Sequence, residues 1–172
     1  MKVAICHTHL QMLGGGERVA LTIASALAKR GHSVALYGIT SYEKSFFEKY
    51  YNIDLSTVRF RTSFGLLSLL KVFGHYQKCI IPYILSKAKD FDLIIDTSSN
   101  GFYPIFTDAR SICYVHYPLD KLPETPLMIL FLLPIRNRIG YSFDRYDRIL
   151  CNSLFTKNEI NKLTSQDATV IN

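Results

Sequence analysis

Apolar and polar positions fall into blocks along this chain, with short β-rich runs taking turns with longer runs of helical period. Val3 to Cys6 is apolar without interruption, as a buried strand would be. From Glu17 to Arg30 the residues Val19, Ala20, Ile23, Ala24, Leu27 and Ala28 share one helical stripe, and Gly31 closes the helix. Ser33 to Tyr37 reads as a second strand and Tyr42 to Tyr51 as a helix. Val58 to Arg61 gives a third strand, and Gly65 to Lys89 a long helical region interrupted near Pro82. Strands are predicted over Asp92 to Ile95 and Ser111 to Val115, then a helix over Thr125 to Ser142 broken by Pro134. Arg148 to Cys151 is a sixth strand, Phe155 to Leu163 a helix capped by Asn152 or Ser153, and Ala168 to Ile171 a seventh strand.

Strands separated by helices pair in parallel through right-handed crossovers. Leu93, Ile94 and Ile95 are apolar without alternation, which a strand covered on both faces requires. The expected fold is therefore α/β, a Rossmann-like doubly wound parallel sheet of about seven strands. With 172 residues, 48% hydrophobic and 20% charged, the chain suits one domain with a real core. Its close on a strand at Asn172 suits a piece that ends at a domain boundary.

Charge and cysteine content narrow the picture. A net charge of +6 favours an anionic partner: nucleic acid, a phosphorylated substrate or an anionic lipid surface. The basic-aromatic interleaving of a nucleic-acid binder is missing, so no nucleic acid is expected as a partner. Cys6, Cys79, Cys113 and Cys151 form no C-x-x-C pair, and three of them sit in strands. They read as reduced core residues in a reducing compartment such as the cytosol, with no metal site. The apolar run at the N-terminus is too short for a signal peptide, and no stretch is long and apolar enough for a spanning helix.

Four loops follow strands and carry polar chemistry. Gly14, Gly15 and Gly16, followed by Glu17 and Arg18, stand between the first strand and first helix, where backbone N–H groups and the helix dipole suit phosphate or sugar hydroxyls; the plain alternative is a flexible turn. A nucleotide- or nucleic-acid-binding Rossmann domain is the lesser reading: Val19 fills the third small position of the dinucleotide fingerprint, and Tyr37-Gly38-Ile39-Thr40 offers no carboxylate for a ribose. No Walker motif occurs. Asp96, Thr97 and Ser98 follow the fourth strand, where an Asx-type turn competes with ligand contact. His116 and Tyr117 follow the fifth strand, with His116 placed to donate to a sugar hydroxyl or phosphate oxygen, or to serve only the structure. Asn152 and Ser153 follow the sixth strand and cap the next helix, with ligand contact as an added role.

In their order, Gly14 to Val19, Ile95 to Ser99, Tyr114 to Pro118 and Asn152 to Thr156 resemble glycosyltransferase family 4, and G-G-G-E-R-V with V-H-Y-P is similar to its dolichyl-diphosphate-oligosaccharide mannosyltransferases. The resemblance implies the N-terminal, acceptor-binding half of a GT-B fold across residues 1–172, with the C-terminal donor-binding domain and its Glu-x7-Glu motif absent. It implies a retaining, metal-independent transfer of a hexose such as mannose from a GDP- or UDP-sugar, which the other domain binds. No other cofactor is implied. The acceptor is a saccharide, polyprenyl-phosphate-linked by the same resemblance, and this half alone would be inactive. The resemblance puts Gly15 and Gly16 near phosphates and acceptor, and His116, as the catalytic candidate, near the transferred sugar. Binding residues would be Gly14, Gly15, Gly16, Glu17, Arg18, Thr97, Ser98, Tyr117, Asn152 and Ser153. A non-catalytic, membrane-associated subunit of a split glycosyltransferase is the other reading, and continuation of the reading frame into a donor domain separates the two.

Phe64 to Lys89 mixes apolar residues with Lys71, Lys78, Lys87 and Lys89, and meets no carboxylate before Asp90. Leu127 to Leu133 is apolar all round, with Arg136 and Arg138 beyond it. Both segments suit an interfacial surface on anionic lipid, so a peripheral place on the cytosolic face of a membrane is expected. Helices that merely cover the sheet are the plain alternative.

Overall fold

A computed structural model describes residues 1–39, 43–62, 74–98, 100–117 and 126–171. Seven strands form one parallel sheet: β1 (Lys2–Cys6), β2 (Ser33–Gly38), β3 (Arg59–Thr62), β4 (Leu93–Asp96), β5 (Arg110–Val115), β6 (Arg148–Cys151) and β7 (Ala168–Val170). Their order across the sheet is β3-β2-β1-β4-β5-β6-β7. The chain steps outward from β1 in one direction, then returns to place β4 on its other side. The switch point of this doubly wound sheet therefore lies between β1 and β4, and a crevice opens beyond the carboxyl ends of those two strands.

Alternation along β1 shows why the strand is apolar throughout. Val3 and Ile5 face a core with Ala20, Leu21 and Ala24 of α1 (Gly15–Lys29), while Ala4 and Cys6 face a second core with Ile81 and Leu85 of α3 (Gly74–Lys87). Leu21 is fully buried, so its truncation to Ala costs about 2–5 kcal/mol. A third cluster joins Cys113, Val115, Ile149 and Cys151 to Ile160 of α5 (Leu154–Asn161). All four cysteines are buried and free.

Element boundaries shift where local chemistry overrides the pattern. α1 begins at Gly15, ahead of Glu17, because Gly14 is the N-cap and the Glu17 carboxylate reaches back to accept its N–H at 2.7 Å. That contact is one half of a capping box. α2 (Lys44–Tyr51) starts two residues late, and Tyr42 lies outside the described residues. The expected interruption at Pro82 does not occur: α3 runs through it, held by Ile81 and Leu85 on the sheet and by the Ser86 hydroxyl donating to the Pro82 carbonyl at 2.7 Å. The part of that region before Gly74 lies outside the described residues. Pro134 does end regular helix: α4 (Pro126–Leu132) gives way to a 3-10 segment, Leu133–Arg138.

Candidate functional site

His7 is the first residue past β1 and Thr97 the first past β4, so the switch point puts them side by side. The Thr97 N–H donates to the Cys6 carbonyl at 3.0 Å and the His7 N–H to the Tyr37 carbonyl at 2.9 Å, which carries the sheet's bonding one step beyond the strands. His7 Nδ1 lies 2.9 Å from Thr97 Oγ1, and His7 Nε2 lies 3.2 Å from Glu17 Oε1. The other oxygen of Glu17 holds Gly14. A chain of bonds thus joins the glycine turn, the end of β1 and the end of β4. Glu17 is 7% exposed, yet the His7 bond, helped by the backbone N–H groups of the turn, holds its carboxyl down to about 2. It is a carboxylate at any ordinary pH.

His116, just past β5, closes the ring. Its backbone N–H donates to Asn100 Oδ1 at 3.0 Å, in a turn where Asn100 and Gly101 are both left-handed. Gly101 is irreplaceable there, since a Cβ would stand 2.3 Å from the Phe143 ring. The imidazole donates to the Thr97 carbonyl, and because Nε2 has no hydrogen-bond partner among the described residues, Nδ1 is the donor. Burial, with His7 nearby, lowers the His116 pKa from its ordinary value. The neutral ring therefore turns a lone pair at Nε2 towards the cavity. With the ring's N–H on the Thr97 carbonyl, Nε2 is left to accept. Gly16 makes room for it, because a Cβ at Gly16 would lie 3.3 Å from His116 Nε2 and 3.5 Å from His7 Cε1.

These groups surround a cavity of about 350 Å³. Gly14, Gly15, Gly16, Glu17, Thr97, Ser98 and His116 all line it. Ser98 is held by Thr8 Oγ1 at 3.0 Å and, through its N–H, by Asp96 Oδ1 at 3.1 Å. The Asx turn therefore exists and serves the site, with Asp96 itself buried and accepting from the Tyr146 hydroxyl at 2.6 Å. The remaining predicted residues stand apart. Arg18 is exposed on the outer side of α1. The Tyr117 ring stacks on Phe155, 5.7 Å between centroids. Ser153 caps α5, accepting the Thr156 N–H at 3.1 Å. The Thr156 hydroxyl lies 2.8 Å from Asn152 Oδ1 and 3.2 Å from the His116 carbonyl, so Asn152 and Ser153 reach the site only through His116's backbone. Ser99 and Pro118 lie outside the described residues.

Sequence reasoning missed His7, Thr8, His9, Met12, Lys78 and Tyr103 as cavity residues. His7 reads only as the polar residue that stops a strand; its neighbour Thr97 is 90 positions away, and strand order alone unites them. Lys78 reads as one cation of a surface segment, but it stands one turn into α3 with its ammonium 5.4 Å above the Tyr103 ring. Burial and the Lys78 charge lower the His9 pKa. Among the described residues no group of histidine, cysteine or acidic side chains is arranged to hold a metal.

A family model described as Glycosyltransferase Family 4 matches residues 13–172. The alpha-1,3/1,6-mannosyltransferase ALG2 of Saccharomyces cerevisiae is 29% identical, the match covering 98% of this chain and 36% of that protein. ALG2 of Rhizomucor pusillus is 27% identical over 94% of this chain and 38% of its own length. The chain thus spans less than two fifths of these curated relatives. Among solved structures, Phytolacca americana UGT2, complexed with UDP-2fluoro-glucose and pterostilbene, superposes with a TM-score of 0.50 at 13% identity, covering 99% of this chain and 53% of that one. That likeness shows the fold, one Rossmann-like half of a GT-B architecture.

Proposed function

The chain belongs to glycosyltransferase family 4, and we propose that it is the acceptor-binding half of a retaining enzyme that moves a hexose, mannose first among candidates, from a GDP- or UDP-sugar to a polyprenyl-phosphate-linked saccharide. The donor nucleotide is held by a C-terminal domain outside these residues, and this half alone does not turn over. The observation that carries the reading is the buried Nε2 of His116, without a hydrogen-bond partner among the described residues, lying against Gly16 at the wall of a cavity at the sheet's switch point. A lone pair enclosed in this way calls for a hydroxyl donor, and a sugar ring supplies several. The N–H groups of Gly15 and Gly16, in the first turn of α1, suit an oxygen acceptor on the same ligand. Met12 and Tyr103 offer apolar contact for the ring's C–H face. His116 is the catalytic candidate, with Gly15, Gly16, Thr97 and Ser98 as binding residues.

A lipid-linked acceptor has to be met at a bilayer. In α4 and the 3-10 segment after it, Leu127, Ile129, Leu130 and Leu133 are exposed, with Arg136 exposed beside them. This surface supports peripheral attachment to the cytosolic face of a membrane. Among the described residues no helix is long and apolar enough to cross one. The test of the function is a donor-by-acceptor screen on the full-length protein, with GDP- and UDP-hexoses against polyprenyl-linked saccharides. Transfer of mannose with retention of anomeric configuration is expected, and transfer with inversion, or none with any donor, refutes the reading.

A further inference from the structure

We propose that His7 is the positioning residue of this site, holding the glycine turn of α1 in place through its Nε2 arm on Glu17; the proposal rests on the acceptor-site reading above. His7 is 5% exposed and packs under the cavity, and its ring reaches two elements at once. A carboxylate only accepts, so Nε2 carries the proton that points at Glu17 Oε1, 3.2 Å away. The other ring nitrogen, Nδ1, lies 2.9 Å from Thr97 Oγ1, a hydroxyl whose own proton goes to the Cys6 carbonyl at 2.9 Å. Glu17 passes the constraint forward, because Oε2 accepts the Gly14 N–H at 2.7 Å. Thr97 has other anchors: its own N–H and its hydroxyl both lie on the Cys6 carbonyl. At the glycine turn the Gly14 carbonyl takes the Arg18 N–H at 3.3 Å and the Tyr51 hydroxyl at 3.2 Å, but among the described residues the Gly14 N–H is held by Glu17 alone. The arm from His7 to Glu17 is therefore the one whose loss frees the turn, and with it the first-turn N–H groups and the space that Gly16 leaves for His116.

Two isosteric substitutions separate the arms. The side-chain nitrogen of Gln falls near imidazole Nε2 and that of Asn near Nδ1, so His7→Gln keeps the Glu17 contact and His7→Asn keeps the Thr97 contact. In the full-length protein, kcat and KM for transfer from a GDP-hexose, the melting temperature and hydrogen exchange at the Gly14 amide are measured together. His7→Asn should lower kcat about tenfold or more, with KM for the donor little changed, and speed Gly14 exchange. His7→Gln should recover most of both. Adding Glu17→Gln to His7→Asn should cost little beyond either alone, because both cut one arm. Equal behaviour of Asn and Gln, or unaltered Gly14 exchange in His7→Asn, overturns the proposal. If His7→Asn fails to fold, Thr97→Val decides: it removes the other arm, so Gly14 exchange should stay as in the wild type, and faster exchange refutes the Nε2 assignment. If the wild type transfers no sugar, the functional reading fails while the exchange comparison still judges His7.

Discussion

His116 owes its chemistry to two neighbours, the Thr97 carbonyl that takes its N–H and the Gly16 backbone that leaves its other nitrogen room. A half-buried imidazole with a lowered pKa is neutral at pH 7, and Nε2 accepts only in that form. As pH falls through the lowered value the nitrogen gains a proton, and binding of a donor hydroxyl is lost. The acid limb of kcat/KM for the full-length enzyme should therefore have its midpoint below 6.5, and a midpoint above it contradicts this account. His116→Ala should cut turnover about tenfold or more while shifting the melting temperature little, and unchanged kinetics would remove His116 from the site. Glu17 titrates at the other end of the scale. Its folded pKa of about 2 lies below the ordinary 4.5, so it contributes stability that is complete above 4.5 and is lost as pH falls towards 2. The amount is of the order of 2–3 kcal/mol, and Glu17→Gln should flatten acid denaturation across that window. At this scale sequence reading found the residues that end strands in recognisable loops, such as His116 and Thr97. It passed over His7, whose partners are defined by strand order and not by spacing.

At the scale of elements, strands were the easy part. Burial on both faces makes Val3–Cys6 of β1 and Leu93–Ile95 of β4 continuously apolar, and β6 falls where the pattern puts it, over Arg148–Cys151. Helix ends were harder, because they depend on contacts between side chain and backbone. The glycine run illustrates the gap: as letters it suggests a loop, but Gly15 and Gly16 are the first two residues of α1, with Gly14 as cap. The three glycines are consequently not equivalent. A Cβ at Gly15 meets nothing within 4 Å, so Gly15→Ala leaves the backbone N–H in place, should stabilise the helix by about 0.5–1 kcal/mol and should cost less turnover than Gly16→Ala. A Cβ at Gly16 lies 3.3 Å from His116 Nε2, so Gly16→Ala must push the ring aside and should lower turnover with little loss of stability. Measuring kcat and melting temperature for both variants checks the pair, and equal tolerance of both would mean that Gly16 does not shape the site. Pro82 teaches the converse. A residue that breaks helices in isolation is carried through α3 because the sheet buries the residues around it.

Over the whole molecule, what the sequence could not supply was the order of the strands, and the order makes the site. Alternating elements imply a parallel sheet, but only β3-β2-β1-β4-β5-β6-β7 puts the switch point between His7 and Thr97. The same architecture leaves α4 on the outside. Tyr76 of α3 donates to the Phe131 carbonyl at 2.6 Å and its ring meets Phe131 edge-on, so the inner side of α4 is occupied. Leu132 is buried, whereas Leu127 is 77% and Leu130 64% exposed. Two leucines that add nothing to the core are a cost in water and a gain in lipid. Full burial of each is worth about 1.5–3 kcal/mol, and even half of that for the pair is roughly ten- to a hundredfold in partitioning. Nearby cations add about 1 kcal/mol each on an anionic surface and lose it in salt. In vesicle flotation, Leu127→Asp with Leu130→Asp should therefore release the protein at every ionic strength, with no change in melting temperature, because neither side chain supports the fold. Wild-type binding should weaken as salt rises but not vanish, since the leucines remain. Failure of the wild type to float with anionic vesicles at low salt would show that α4 faces something other than lipid, and the acceptor would then have to reach the cavity without a bilayer beside it.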